Sequence, residues 1–139
     1  MIVIDTTVVS ELMRPAPAPT VVQWIRSQTG RDLYTTSITL AEIRYGIERL
    51  PDGRRKKLLA VTAEEVFDAF ADKVLPFNAP AAPLYAAVVS ARERAGTPID
   101  GFDAQIAAIC RAHRATLATR NLKDFYDTGI ETIDPWGQS

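Results

Sequence analysis

Five short runs rich in β-branched residues, at positions 2–4, 33–35, 74–77, 116–119 and 131–133, alternate along this chain with longer stretches of helical periodicity. Each run is too short for a helix and reads as a buried strand. Strands that alternate with helices are satisfied by a parallel sheet covered with helices on both faces, so the expected class is α/β. The helical stretches are legible one by one. A short piece covers residues 8–13. After the stiff connector Pro15-Ala-Pro-Ala-Pro19, Thr20 is expected to cap a helix through Ser27. Leu40, Ile43, Ile47 and Leu50 form one stripe on a helix beginning near Thr39 and ended by Pro51-Asp52-Gly53. A helix over residues 54–72 is expected to carry Leu58, Leu59, Val66 and Phe70 inward. Another spans 81–95 and stops at Gly96, which suits the left-handed position after a helix. Ile106, Ile109, Cys110 and His113 mark a face of the next, and residues 122–126 form a last short helix. With 139 residues, the chain is expected to be a single domain, 1–139.

Residue usage removes whole classes of chemistry. A single cysteine, Cys110, excludes an intramolecular disulfide, and with one histidine, His113, it leaves too few soft ligands for a closed zinc site. A serine–histidine–aspartate triad would need His113, which sits between Arg111 and Arg114 on an expected helix surface. Sixteen basic against seventeen acidic residues give a net charge of -1, so nucleic-acid binding would have to rest on local patches. The longest apolar stretch, residues 79–89, contains two prolines and falls short of the ~20 residues of a membrane span. With no secretory signal at Met1-Ile-Val-Ile-Asp5, a cytoplasmic location is expected.

Acids stand at the strand-to-helix junctions: Asp5 after the first strand, Glu42 in the first turn after the second, and Asp124 past the fourth, with Asp103 at another helix entry. In a parallel sheet these junctions share the carboxyl edge, so residues distant in sequence converge there. A bland reading competes. Thr39-x-x-Glu42, Asp100-x-x-Asp103 and Asn121-x-x-Asp124 each resemble a capping box, and Asp5 suits a helix cap as well. The sum favours the sharper reading: carboxylates within ~5 Å repel by roughly 3 kcal/mol per pair at an effective dielectric near 20, so a cluster protonates or holds a cation. Oxygen donors alone select a hard ion, Mg²⁺ with Mn²⁺ as the other choice, and such ions support phosphodiester hydrolysis without histidine or a covalent nucleophile.

The blocks Met1-Ile-Val-Ile-Asp-Thr-Thr-Val-Val-Ser-Glu-Leu-Met-Arg-Pro15, Thr39-Leu-Ala-Glu-Ile-Arg-Tyr-Gly46, Asp103-Ala-Gln-Ile-Ala-Ala108, Ala118-Thr-Arg-Asn-Leu-Lys-Asp-Phe125 and Asp134-Pro-Trp136, in this order, resemble the PIN-domain ribonuclease toxins of the VapC and FitB group. The resemblance implies that Asp5, Glu42 and Asp103 surround Mg²⁺ and that Asn121 and Asp124 supply the fourth corner, with Asp5 and Asp103 as the direct ligands. It further implies a homodimer that cleaves single-stranded RNA as a toxin and is silenced by a cognate antitoxin. Asp103 directly precedes the Ala-Gln-Ile-Ala-Ala segment as in the family, which leaves Asp100 as a cap. The family usually has Asn where this chain has Thr7, a position expected to lie against substrate or the metal shell.

Arg120, Asn121 and Lys123 flank the expected site and are candidates for substrate contact, Arg120 and Lys123 through RNA phosphates. Arg54 to Lys57, Arg111 and Arg114 read as solvated helix flanks. A haloacid-dehalogenase-type phosphatase would need a second Asp where Thr7 stands, and a response-regulator receiver an Asp where Asn78 stands. The remaining alternative is a PIN fold weakened at Thr7 that binds antitoxin or RNA without cutting.

Overall fold

The computed structural model describes residues 1–28 and 32–137. Five parallel strands, β1 (Ile2–Ile4), β2 (Leu33–Thr36), β3 (Val74–Leu75), β4 (Thr116–Ala118) and β5 (Thr132–Ile133), lie in the order β3-β2-β1-β4-β5. Among the described residues, six α-helices and a 3₁₀ turn connect them: α1 (Thr6–Leu12), α2 (Pro19–Ser27), α3 (Ser37–Glu48), α4 (Arg54–Ala69), α5 (Ala82–Arg94), α6 (Gly101–Ala112) and the turn Leu122–Phe125. The α/β expectation is borne out. Winding proceeds outward from β1 to β3, then returns to the other side of β1 for β4 and β5. The carboxyl ends of β1 and β4 therefore flank a crevice of the kind that binds ligands in open α/β sheets.

Period-two alternation builds a core on each face of the sheet. Ile4 and Ala118 join Val8, Val9, Val21, Trp24, Ile43 and Phe67, contributed by α1 to α4, on one face. Val3 and Leu117 meet Val88, Ile106, Ala107 and Cys110, from α5 and α6, on the other. Each fully buried large aliphatic side chain contributes about 1.5–3 kcal/mol, so β1 and β4, sealed on both faces, anchor the domain.

Several boundaries differ from the sequence reading for local reasons. α1 starts at Thr6 because Asp5 is its cap. Pro19 opens α2 at its first turn, where a missing N–H is no loss, so Thr20 is inside the helix and caps nothing. Thr36, not Thr39, caps α3: its hydroxyl accepts from the Thr39 amide at 3.1 Å, and Thr39 is buried in the first turn. β3 ends at Leu75 before Pro76, which has no N–H for the ladder. β4 ends at Ala118, one residue before Thr119. α4 closes at Ala69, and Leu58 is 58% exposed because the inward face of that helix is set by Leu59, Ala63, Val66 and Phe67. Leu84 and Val88 pack into the chain's own cores. His113 ends α6 in solvent, and Gly96 has φ +75 as its place after α5 requires.

Glu11 ties the end of α1 to the start of α2. Its carboxylate is buried at 5% exposure and accepts from the Ala18 amide at 2.8 Å, at the entrance to α2. Lys56 likewise serves a helix end, donating to the Glu48 carbonyl at 3.0 Å and so supporting the last turn of α3.

Candidate active site

Asp5 leaves β1 directly into the crevice and is 4% exposed. Its Oδ1 accepts from the amides of Thr7 at 2.9 Å and Val8 at 3.2 Å, and from the Thr7 hydroxyl at 2.5 Å. The cap reading of Asp5 is thus met, by a carboxylate that lies at the crevice. Burial pushes the Asp5 carboxyl above its usual range, against the pull of hydrogen bonds from the Thr119 and Thr7 hydroxyls and the Val8 and Thr7 amides.

Glu42 does not cap α3. Its Oε1 accepts from the Thr6 hydroxyl at 2.7 Å, a bond between α3 and the first residue of α1. Burial raises its pKa first, and the charges of Asp100 and Asp5 add to that. Asp100 is the cap of α6, its Oδ2 accepting from the amides of Phe102 at 3.0 Å and Asp103 at 3.3 Å. That frees the Asp103 carboxylate from cap duty. Burial, followed by the charges of Asp100, Asp124, Glu42 and Asp5, raises Asp103 to about 7. The four expected acids therefore share one electrostatic environment, with Asp103 at its focus.

The fourth-strand side is looser. Asn121 makes no side-chain cap, which removes the capping-box reading of Asn121 and Asp124; its amide donates to the Thr119 hydroxyl at 3.0 Å. Asn121, Lys123 and Asp124 are exposed. Arg120 is exposed too, with its guanidinium 5.0 Å from the centre of the Trp136 ring. Thr7 is half-buried. Besides donating to Asp5, its hydroxyl accepts from the Arg120 amide at 3.0 Å, so it joins the ends of β1 and β4.

Sequence reasoning missed three contributors. Thr6 holds Glu42, Thr119 supports Asp5 from a fully buried position, and Arg92 binds the carbonyl of Asp124 at 2.7 Å. The threonines had a signal, since each follows a strand end at the same edge; an arginine in the last turn of a helix had none.

The donor set suits a hard cation: all oxygen, partly desolvated, and mutually repelling when ionised. Among the described residues no three acids already stand in a ready-made cage. The set thus fits an ion that keeps several waters and takes few protein ligands.

Beside the acids, between α1, α3 and α4, runs a groove of about 940 Å³. Thr6 and Glu42 form its site end, Met13, Ile43, Ile47, Leu50 and Leu59 its apolar walls, and Arg14, Arg54 and Arg55 part of its lining. Among the described residues, no helix is long and apolar enough to cross a membrane.

Comparison with known proteins agrees with this architecture. A family model for the PIN domain matches residues 2–131. Toxin FitB of Neisseria gonorrhoeae is 37% identical over 137 residues, covering 98% of this chain and 99% of its own. The VapC ribonuclease Y4jK of Sinorhizobium fredii is 39% identical over 137 residues, covering 98% of both. In three dimensions the chain is similar to FitAB bound to the IR36 DNA fragment, with a TM-score of 0.91 at 36% identity over 100% of this chain and 98% of the other. FitAcB from Neisseria gonorrhoeae gives 0.90 at 37% identity over 99% and 100%. A switch-point crevice carrying four coupled acids, in a chain that aligns almost end to end with these relatives, has one assignment: the protein belongs to the PIN-domain family.

Proposed function

We propose that the chain is a metal-dependent endoribonuclease acting on single-stranded RNA as the toxin of a toxin–antitoxin pair. The observation that carries this reading is the meeting at the crevice of Asp5, buried at the end of β1, Glu42, held there by the Thr6 hydroxyl, and Asp103, freed from capping by Asp100. Asp5 and Asp103 would hold Mg²⁺ or Mn²⁺, and the ion would supply Lewis acidity toward a phosphate oxygen and lower the pKa of a water. The Thr7 and Thr119 hydroxyls fix the orientation of Asp5. Glu42, held at Oε1 by Thr6, keeps Oε2 free to accept a proton from the attacking water, and Asp124 completes the negative wall facing the ion. Arg120, steadied over Trp136, and Lys123 meet RNA phosphates, while Asn121 contacts the strand near the cut.

The Thr7 hydroxyl already serves as donor to Asp5, which supports catalysis and weakens the non-cutting alternative. The apolar groove beside Glu42 suits a segment of the antitoxin, in keeping with the FitAB complexes among the similar structures. A homodimer is part of the same proposal, and light scattering at the monomer mass of 15.3 kDa at micromolar concentration refutes it. The central test is incubation of labelled single-stranded RNA with the protein and Mn²⁺, with and without EDTA, beside Asp5→Asn and Asp103→Asn. Cutting by the unaltered protein alone, abolished by EDTA, is expected; cutting that survives thorough chelation overturns the metal mechanism.

A further inference from the structure

Arg92 on α5 is a buried cation, 7% exposed, with no carboxylate partner among the described residues. Two of its three nitrogens donate to two separate segments. Nε donates to the Thr97 carbonyl at 2.6 Å and the Thr97 hydroxyl at 3.2 Å. Nη1 donates to the carbonyls of Asp124 at 2.7 Å and Tyr126 at 3.1 Å. Thr97 begins the short lead to Asp100, whose cap sets the first turn of α6 and with it Asp103. Asp124 and Tyr126 belong to the 3₁₀ turn and its end. One guanidinium therefore bridges the two acid-bearing segments that approach the crevice from the α5–α6 side.

A desolvated guanidinium is tolerated only where its donors are met, and an aliphatic side chain would fill the same place at less expense. Nor does its charge act on Asp103, whose perturbing groups are burial and four acids. What remains is geometry. The planar fork of arginine sends donors in fixed directions to both segments, whereas an ammonium is a single point.

We propose that Arg92 is a positioning residue that holds the Asp124 turn and the entrance of α6 in mutual register, so that Asp103 and Asp124 present their carboxylates to the same ion. This rests on the ribonuclease reading for its catalytic consequence, but not for its structural one. Three measurements on Arg92→Lys separate the two: amide hydrogen exchange, calorimetric titration with Mn²⁺ alone, and cleavage kinetics. Exchange should rise at least tenfold in residues 97–103 and 122–127 and stay unchanged in β1 and β4. Mn²⁺ affinity should fall about tenfold, the lower end for loss of a partner behind a metal ligand. If the protein cuts RNA, kcat should fall by a similar factor with KM within twofold. Arg92→Met should deepen each effect. Should the unaltered protein not cut, the ribonuclease reading falls while exchange and Mn²⁺ binding still decide the role of Arg92. The proposal is overturned if folded Arg92→Lys shows unchanged exchange and Mn²⁺ affinity, if exchange rises uniformly, or if the variant does not fold.

Discussion

Replacing Asp103 by Asn in metal-free protein should stabilise the fold, and only above a defined pH. The carboxyl has a folded value of about 7 against 3.8 for the free group, so folding binds a proton that the unfolded chain releases. Stability therefore falls as pH rises from about 4 to about 7 and stays low above that, the reverse of a salt-bridged aspartate. At 1.36 kcal/mol per pH unit the full span corresponds to roughly 4 kcal/mol. Asp103 is only half-buried, and solvent screening reduces this to about 1–2 kcal/mol. The opposing effect is the helix dipole, which favours an ionised acid in the first turn of α6 by about 0.3–1 kcal/mol. Repulsion wins by this reckoning. In EDTA at pH 8, Asp103→Asn should melt about 3–6 °C above the unaltered protein, and at pH 4 the two should coincide. Thermal melts followed by circular dichroism across that range are sufficient. A variant equally or less stable at pH 8 refutes the reasoning and makes Asp103 a helix-terminus residue.

Adding Mn²⁺ at about 100 times its Kd should stabilise the unaltered protein by about 2.7 kcal/mol and Asp103→Asn far less, as differential melts would show. Mn²⁺ binding at pH 6 should release close to one proton from Asp103 and almost none at pH 8.5, read from titration enthalpies in buffers of different ionisation heat. Thr7→Val should lower the cleavage rate about tenfold, while Thr7→Asn should bring no gain, because the hydroxyl already supports Asp5; a faster Asn variant contradicts this. Asp5→Ala should lose about 1 kcal/mol of stability through the cap of α1, whereas Asp5→Asn keeps an acceptor there and should abolish only cleavage. Cys110, buried and pushed up to about 12, should resist thiol reagents until the protein unfolds.

The parallel sheet was legible because strand-length apolar runs and helix-length stripes have different periods, and the site's acids because parallel topology sends every strand-to-helix junction to one edge. Boundaries were harder. Thr36 and Thr39 offer the same capping hydroxyl, and only the path of β2 decides between them. Leu58 and Leu59 are adjacent, so one of them must turn outward, and the pattern did not say which. Arg92 was invisible in principle: all but one of its acceptors are main-chain oxygens, as many as 34 residues away, and main-chain oxygens leave no mark in a sequence. Thr7 read as a departure from a pattern, but its bonds to Asp5 and the Arg120 amide could be found only in three dimensions.

The place of β1 has a bearing on how the protein is made. Although first in sequence, β1 is the middle strand, flanked by β2 and by β4 at residues 116–118. During synthesis, Asp5 emerges early but cannot be enclosed until β4 has left the ribosome, after most of the chain has been translated. At about 5–20 residues per second, this leaves an interval of several seconds in which the first strand has one open flank and the crevice does not exist. A message truncated before Thr116 should therefore yield a polypeptide that lacks both Asp124 and the wall that buries Asp5. Such a fragment should be open to proteolysis and should not cut RNA, because the crevice forms only when β4 pairs with β1.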